Sequence, residues 1–264
     1  MQAPKAIFLS HGAGPMPLLG DEGHLEMISC LERIASRFAA PEAFVVVSAH
    51  WEESVPTVTA TDSPSLIYDY HGFPSASYEI EYPCPGAPAL ASRVRQSLEN
   101  ADIRSRLDAG RGLDHGVFVP LKIMYPAATI PCVQLSLVDT LDPSVHLEIG
   151  RALRWLSSQN VTVIGSGFSF HNMKAFFTAE SAESRRLNRA FEKWLVTTCC
   201  DAGIPEQERA HMLARWFEAE GARYCHPREE HLLPLLVCYG IAESHCREHF
   251  ELTIMGKESS MYLW

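Results

Sequence analysis

Four short apolar runs, at residues 6–9, 44–47, 130–137 and 161–164, do most to limit what this chain can fold into. Each is nearly continuous, rich in β-branched residues and bounded by turn residues. An unbroken apolar run leaves no side for solvent, so it marks a strand covered on both faces. Helical patterns separate the runs. Residues 25–38 place Ile28, Leu31, Ile34 and Ala35 on one stripe, and residues 88–98 do the same with Leu90, Val94 and Leu98. Asp142-Pro143 supplies an acidic N-cap and a first-turn proline for a helix predicted to run to about Ser158. Residues 184–198, 205–218 and 232–241 are further helices. Strands alternating with helices predict one α/β domain over residues 1–264, with a largely parallel or mixed central sheet flanked by helices.

Composition removes several classes of function. Of the 264 residues, 47% are apolar and 20% charged, which excludes a disordered, collagenous or coiled-coil chain. The balance of 22 basic against 32 acidic side chains gives a net charge of −10 and no basic tract, a poor match to a phosphate backbone. No apolar stretch approaches the roughly 20 residues that cross a bilayer. The first ten residues lack the order of a secretion signal, so a cytoplasmic enzyme without membrane or nucleic-acid partners is expected. The eight cysteines are scattered without a C-x-x-C pair and are read as reduced thiols. Cys199 and Cys200, at a helix end, are read as structural.

The histidines are the residues with chemistry to explain. His11 directly follows the first predicted strand and His50 the second. His171 follows the strand at 161–164 after what reads as a flexible turn, Gly165-Ser166-Gly167. Ligands of open α/β sheets bind beyond the carboxyl ends of the strands, so three histidines leaving that end can converge on one point. His115 lies in Asp114-His115-Gly116, where Asp114 either orients the ring or serves a turn. His226 precedes Pro227, which places it on a loop, with Glu229, Glu230 and His231 close behind. His231 is otherwise a helix-start residue, and His71 a packing residue of the aromatic stretch Tyr68-Asp69-Tyr70-His71-Gly72-Phe73-Pro74. That stretch belongs to an irregular, aromatic segment, 51–88, expected to pack over a site. His24, His146, His211, His245 and His249 lie in amphipathic or polar stretches and read as ordinary.

Nucleotide and hydrolase motifs fail. Gly12-Ala13-Gly14 has neither dinucleotide nor Walker spacing, and Gly165-Ser166-Gly167 is not a nucleophile elbow. A different set of motifs, in order along nearly the whole chain, does match a known pattern. Ser10-His11-Gly12, Ser48-Ala49-His50-Trp51, Tyr68-Asp69-Tyr70 with Gly72-Phe73-Pro74, Tyr82-Pro83-Cys84-Pro85-Gly86, Leu113-Asp114-His115-Gly116, His171-Asn172 and His226-Pro227 with Glu230-His231 resemble the class III extradiol ring-cleaving dioxygenases, in their 4,5-DOPA branch.

The resemblance implies a non-haem Fe(II) enzyme that inserts O₂ into a catechol of DOPA or caffeate type and yields a ring-opened semialdehyde. It implies a metal site at the strand ends, with His11, His50 and His226 as ligands. His171 matches the acid–base residue and is sometimes counted as a further ligand; His115 matches a substrate-contacting residue. Tyr70, Phe73 and Tyr78 are the candidates to cover the ring. Class III relatives are often homodimers. A three-histidine set departs from the 2-His-1-carboxylate triad of the wider superfamily and also suits Zn(II), which binds such ligands more tightly than Fe(II). Two other functions use the same residues. A zinc hydrolase would take Glu52, Glu53 or Glu230 as base, and a non-catalytic binding protein would keep the metal pocket without needing both His115 and His171.

Overall fold

The computed structural model describes residues 4–264. Its strands are β1 (Ala6–Ser10), β2 (Ala43–Glu53), β3 (Thr57–Thr59), β4 (Arg106–Asp108), β5 (Cys132–Val138), β6 (Val161–Gly167), β7 (Glu248–Ile254) and β8 (Lys257–Leu263). They form a mixed eight-stranded sheet in the order β4-β3-β5-β2-β6-β1-β8-β7. The four runs expected from the sequence are the four parallel strands in its middle, β5-β2-β6-β1. Their side chains are buried almost throughout, as strands with helices on both faces require.

The helices are α1 (Leu25–Arg37), α2 (Pro88–Asn100), α3 (His115–Met124), α4 (Pro143–Ala152), α5 (Met173–Phe176), α6 (Ala182–Cys200), α7 (Glu206–Ala214), α8 (Ala222–Cys225) and α9 (Leu233–Ala242). Strand alternation shows how two of them flank the sheet. Ser166 Oγ of β6 donates to the carbonyl of Gly116 in α3, while Gly165 lies against the Pro234 carbonyl of α9. Successive residues face opposite ways, so α3 and α9 cover opposite faces.

Several expectations change. The Asp142 carboxylate caps α4 by accepting from the Ser144 N–H at 2.8 Å, but the helix stops at Ala152 and continues only as a 3₁₀ turn over Arg154–Ser158. The β7–β8 hairpin was not anticipated. Phe250, Leu252 and Ile254 carry its period-two signal, and Met255-Gly256, both at positive φ, make its turn. The expectation of wholly reduced thiols also changes. Cys200, at the end of α6, is joined to Cys246, just ahead of β7, across 46 residues of sequence. Only the hairpin brings them together, so spacing alone gave no sign of the pair.

One buried acid sets a pH dependence. Glu192 of α6 lies beneath β8, where its carboxylate accepts from Ser260 Oγ at 2.6 Å and its other oxygen has no partner. Burial pushes its pKa up to about 7, against a smaller lowering by the Ser260 and Ser169 hydroxyls. Below the ordinary glutamate range both folded and unfolded chains hold the proton. As pH rises, the unfolded chain ionises first, so stability falls until the folded carboxyl ionises as well. Glu192→Gln is expected to flatten the pH dependence of unfolding between pH 5 and 8 by an amount on the order of 2–3 kcal/mol. Denaturant melts of both proteins at the two pH values measure it, and the difference between them cancels the contributions of the histidines.

Candidate active site

The site is assembled where three segments leave the sheet. His11 is the first residue beyond β1, and its N–H extends the ladder to Gly167 O at 3.0 Å. His50 lies in β2, past the last pair with β6 (Ser48 with Ser166) and inside the stretch where pairing with β5 slips, between Val47 and Glu52. Such an irregularity re-aims a side chain that regular pairing would hold on the sheet face. The third segment brings His231, just ahead of α9. A Cβ at Gly167 would lie 2.1 Å from the His231 carbonyl oxygen, the same oxygen that accepts from the Phe168 N–H at 2.9 Å. Gly165-Ser166-Gly167 is therefore strand rather than a flexible turn, and its second glycine lets the His231 segment lie against the end of β6.

Hydrogen bonds to His11 and His231, and a carboxylate facing His50, set how these three rings point. Ser166 spends its only proton on Gly116 O, so its oxygen accepts from His11 Nδ1 at 3.0 Å. His231 Nδ1 donates to Glu230 Oε1 at 2.9 Å, and His50 Nδ1 faces Asp69 Oδ2 at 3.6 Å. Each ring thus carries its proton on Nδ1 and leaves Nε2 bare. The Nε2 atoms of His11 and His50 stand 3.0 Å apart. Burial, and then the neighbouring imidazoles, push the pKa values of His11 and His231 well below the ordinary range; burial and His115 do the same for His50. Two neutral rings with lone pairs facing each other at this distance repel, and a cation between them turns the contact favourable. His11, His50 and His231 offer ligand atoms all within 4.8 Å of one another, a donor set that fits a divalent metal.

Two more histidines complete the site, each sharing a carboxylate with one of the three. Asp69 Oδ1 accepts from both the Nδ1 and the backbone N–H of His115, at 2.8 and 3.0 Å. Glu230 Oε1 lies 3.3 Å from His171 Nδ1, and the His171 ring stacks flat on His231, centroids 3.3 Å apart. Burial raises both carboxyls, but the His115 ring and its neighbours hold Asp69 at about 2, and His171 and Arg228 keep Glu230 below its usual range. Both acids are ionised acceptors at neutral pH. The five imidazoles line one wall of a cavity of about 220 Å³, and Tyr70, Phe73 and the apolar side chains of α5 line the other.

Residues 5–260 match the family of the catalytic LigB subunit of aromatic ring-opening dioxygenase. The chain belongs to this family. It is 36% identical to the dioxygenase tasH of Hapsidospora irregularis, over 98% of this chain and 84% of that one. It is 36% and 34% identical to the 4,5-DOPA dioxygenase extradiol proteins of Beta vulgaris and Escherichia coli K12, over 90% and 89% of this chain and 87% and 84% of theirs. The crystal structure of an uncharacterized protein from Escherichia coli K12 superposes with a TM-score of 0.77 at 30% identity, covering 98% of this chain and 99% of that one. As a LigB-family protein the chain is a class III extradiol ring-cleavage dioxygenase, a metal-dependent enzyme acting on a small molecule and O₂.

Within this dioxygenase, His11, His50, His115 and His171 stand together as expected, and Tyr70 and Phe73 line the cavity. His226 does not join them. Its Nε2 donates to Ser169 O at 2.6 Å, its ring sits between Phe191 and Trp216, and burial lowers its pKa to about 3. His231 stands with the other four histidines instead. Tyr78 also lies outside the cavity; its hydroxyl supports the loop from behind, accepting from Phe73 N and donating to Tyr70 O at 3.4 Å each. Asp114, a candidate to orient His115, instead accepts from Ser48 Oγ at 2.7 Å and from Gln134, leaving Asp69 to orient the ring. Of the three carboxylates considered for a hydrolase, Glu230 stands at the site against His171 and His231, and the other two are engaged elsewhere. Glu52 holds Arg228 through two bonds of 2.6 Å, and Glu53 pairs with Arg106 and Trp51. Among the described residues no helix is long and apolar enough to cross a membrane.

Proposed function

We propose that His11, His50 and His231 hold Fe(II), and that the enzyme opens the ring of a catechol with a short side chain, of the general shape of DOPA or caffeate. The convergence of three imidazoles, with ligand atoms within 4.8 Å of one another, beside a cavity of single-ring size carries this reading. Bound there, Fe(II) supplies the one-electron chemistry that O₂ requires and acidifies a catechol hydroxyl; Zn(II) fits the same ligands but has no redox chemistry. Tyr70 and Phe73, set edge to face with centroids 5.5 Å apart, cover the ring and keep water off it.

The proton work falls to the two histidines outside the metal trio. With Nδ1 directed to Glu230, His171 has Nε2 as its proton-accepting atom, able to take the proton of the second hydroxyl and return it as the O–O bond breaks. His115, held through Nδ1 by Asp69, presents Nε2 to the oxygen that gains charge. The overall change balances without another reagent: one catechol and one O₂ give one ring-opened product that carries both oxygen atoms.

The expected result is oxygen uptake, with a yellow product, when apoprotein loaded anaerobically with Fe(II) meets a panel of catechols in an oxygen electrode. Zinc-loaded protein should consume none. Absence of uptake across the panel with one equivalent of Fe(II) bound would overturn the reading.

A further inference from the structure

Resting on the catechol reading above, we infer that the side chain of the substrate is uncharged and apolar: the geometry points to alkyl-, alkenyl- or ester-bearing catechols rather than amino-acid or free-acid ones. Two independent features of the cavity carry this. The first is what lines its mouth. Away from the histidines, the wall is built by Met16, Met173, Phe176, Phe177 and Met255, with Tyr70 and Phe73 over the ring position. Met173 and Phe177, at the start and just past the end of α5, are 51% and 79% exposed. Large apolar side chains left in water beside a cavity mark a surface that a ligand covers. A ring seated against the histidines directs its substituent along these side chains.

The second feature is charge. Among the described residues, no lysine or arginine lines the cavity. The nearby cations are engaged elsewhere: Arg228 with Glu52 and Glu230, Arg111 with Asp114 and the Trp51 ring, and Lys257 with Glu180. Lys174, on α5 itself, lines a different hollow with Asn172 and Tyr224. Behind the histidines, the groups that meet the rings are the acids Asp69 and Glu230. The catechol adds negative charge as its first hydroxyl loses a proton, the second proton staying in the site on His171. A side-chain carboxylate would bring another negative charge into a site with no cation to receive it, on a chain of net charge −10. The ammonium of an amino-acid side chain fares no better, since neither carboxylate lines the apolar wall.

Pairs that set a charged side chain against a neutral one of similar length test this: caffeate against methyl caffeate, dihydrocaffeate against its methyl ester, and L-DOPA against 4-propylcatechol. With the Fe(II) holoenzyme, kcat/KM should favour the neutral partner by roughly 10–100-fold, mostly through KM. In anaerobic calorimetry the neutral partner should bind more tightly by a similar factor. Phe177→Lys, at an exposed position where the fold tolerates a change, should shift the ratio toward the acids. Equal or better use of the acids by the wild type would overturn the inference while leaving ring cleavage standing. Should no catechol be consumed, ring cleavage falls, and the calorimetry still decides the charge preference: tighter neutral ligands support it, and equal affinities overturn it.

Discussion

His231→Ala is expected to lose stoichiometric metal and all oxygen uptake, whereas His226→Gln keeps its metal and loses only stability. The two residues lie five apart on the same loop, and spacing alone cannot separate them. Their surroundings do. His231, with Nδ1 spent on Glu230, offers a ligand atom within 4.8 Å of those of His11 and His50. His226 spends Nε2 on Ser169 O and packs between two aromatic rings, fully buried. Its Nδ1 has no partner but is buried in the core and outside the cavity, so a ligand role would require moving the ring out of its packing. The neighbouring imidazoles His115 and His171 are held through Nδ1 by Asp69 and Glu230, so losing one ligand of three should cost stoichiometric binding. The His226 substitution replaces a hydrogen-bonded ring in a packed site and should cost about 1–3 kcal/mol. Metal content by plasma mass spectrometry, with thermal melts of the same samples, decides between them. Metal retained in His231→Ala and lost in His226→Gln would restore the assignment drawn from the sequence.

That exchange shows where the sequence was legible. The central strands were readable because burial on both faces leaves an unbroken apolar run, and His11 and His50 because each follows such a run at once. The β7–β8 hairpin was not read, since its outward positions are polar and Ser259 and Ser260 are polar yet buried. His231 sits at the mouth of an apolar helix, where a histidine reads as an ordinary start residue. What makes it a site residue is the close approach of its backbone to Gly167, a contact between segments more than sixty residues apart. Asp69 was visible only as part of an aromatic stretch. The two-for-one use of Asp69 and Glu230, each orienting one ring inside the trio and one outside it, has no local signature, because it arises only when the irregular segment and the loop before α9 fold onto the same strand ends.

The second large effect concerns that shared carboxylate. His171→Ala should retain its metal and lose roughly 10²–10⁴-fold in kcat, the usual range for removing a positioned acid–base group. Glu230→Gln should behave differently. Both rings turn Nδ1 to the same oxygen, Oε1, which the amide keeps; what the amide lacks is the negative charge, so it holds the two Nδ1 protons more weakly and leaves both Nε2 atoms less basic. Metal affinity should fall by about 10–100-fold, as for other groups that orient a ligand, and kcat should fall as well even when metal is supplied in excess. Asp69→Asn should give the same pair of losses through His50 and His115, which here face different oxygens, Oδ2 and Oδ1. The separation of the two readouts is the point of the comparison. A metal titration followed by turnover at saturating Fe(II) gives a loss in turnover alone for His171→Ala, and a loss in both for either carboxylate variant. If His171→Ala cleaves catechols at the wild-type rate, the proton is moved by another group, and His115 is the remaining imidazole in place to move it.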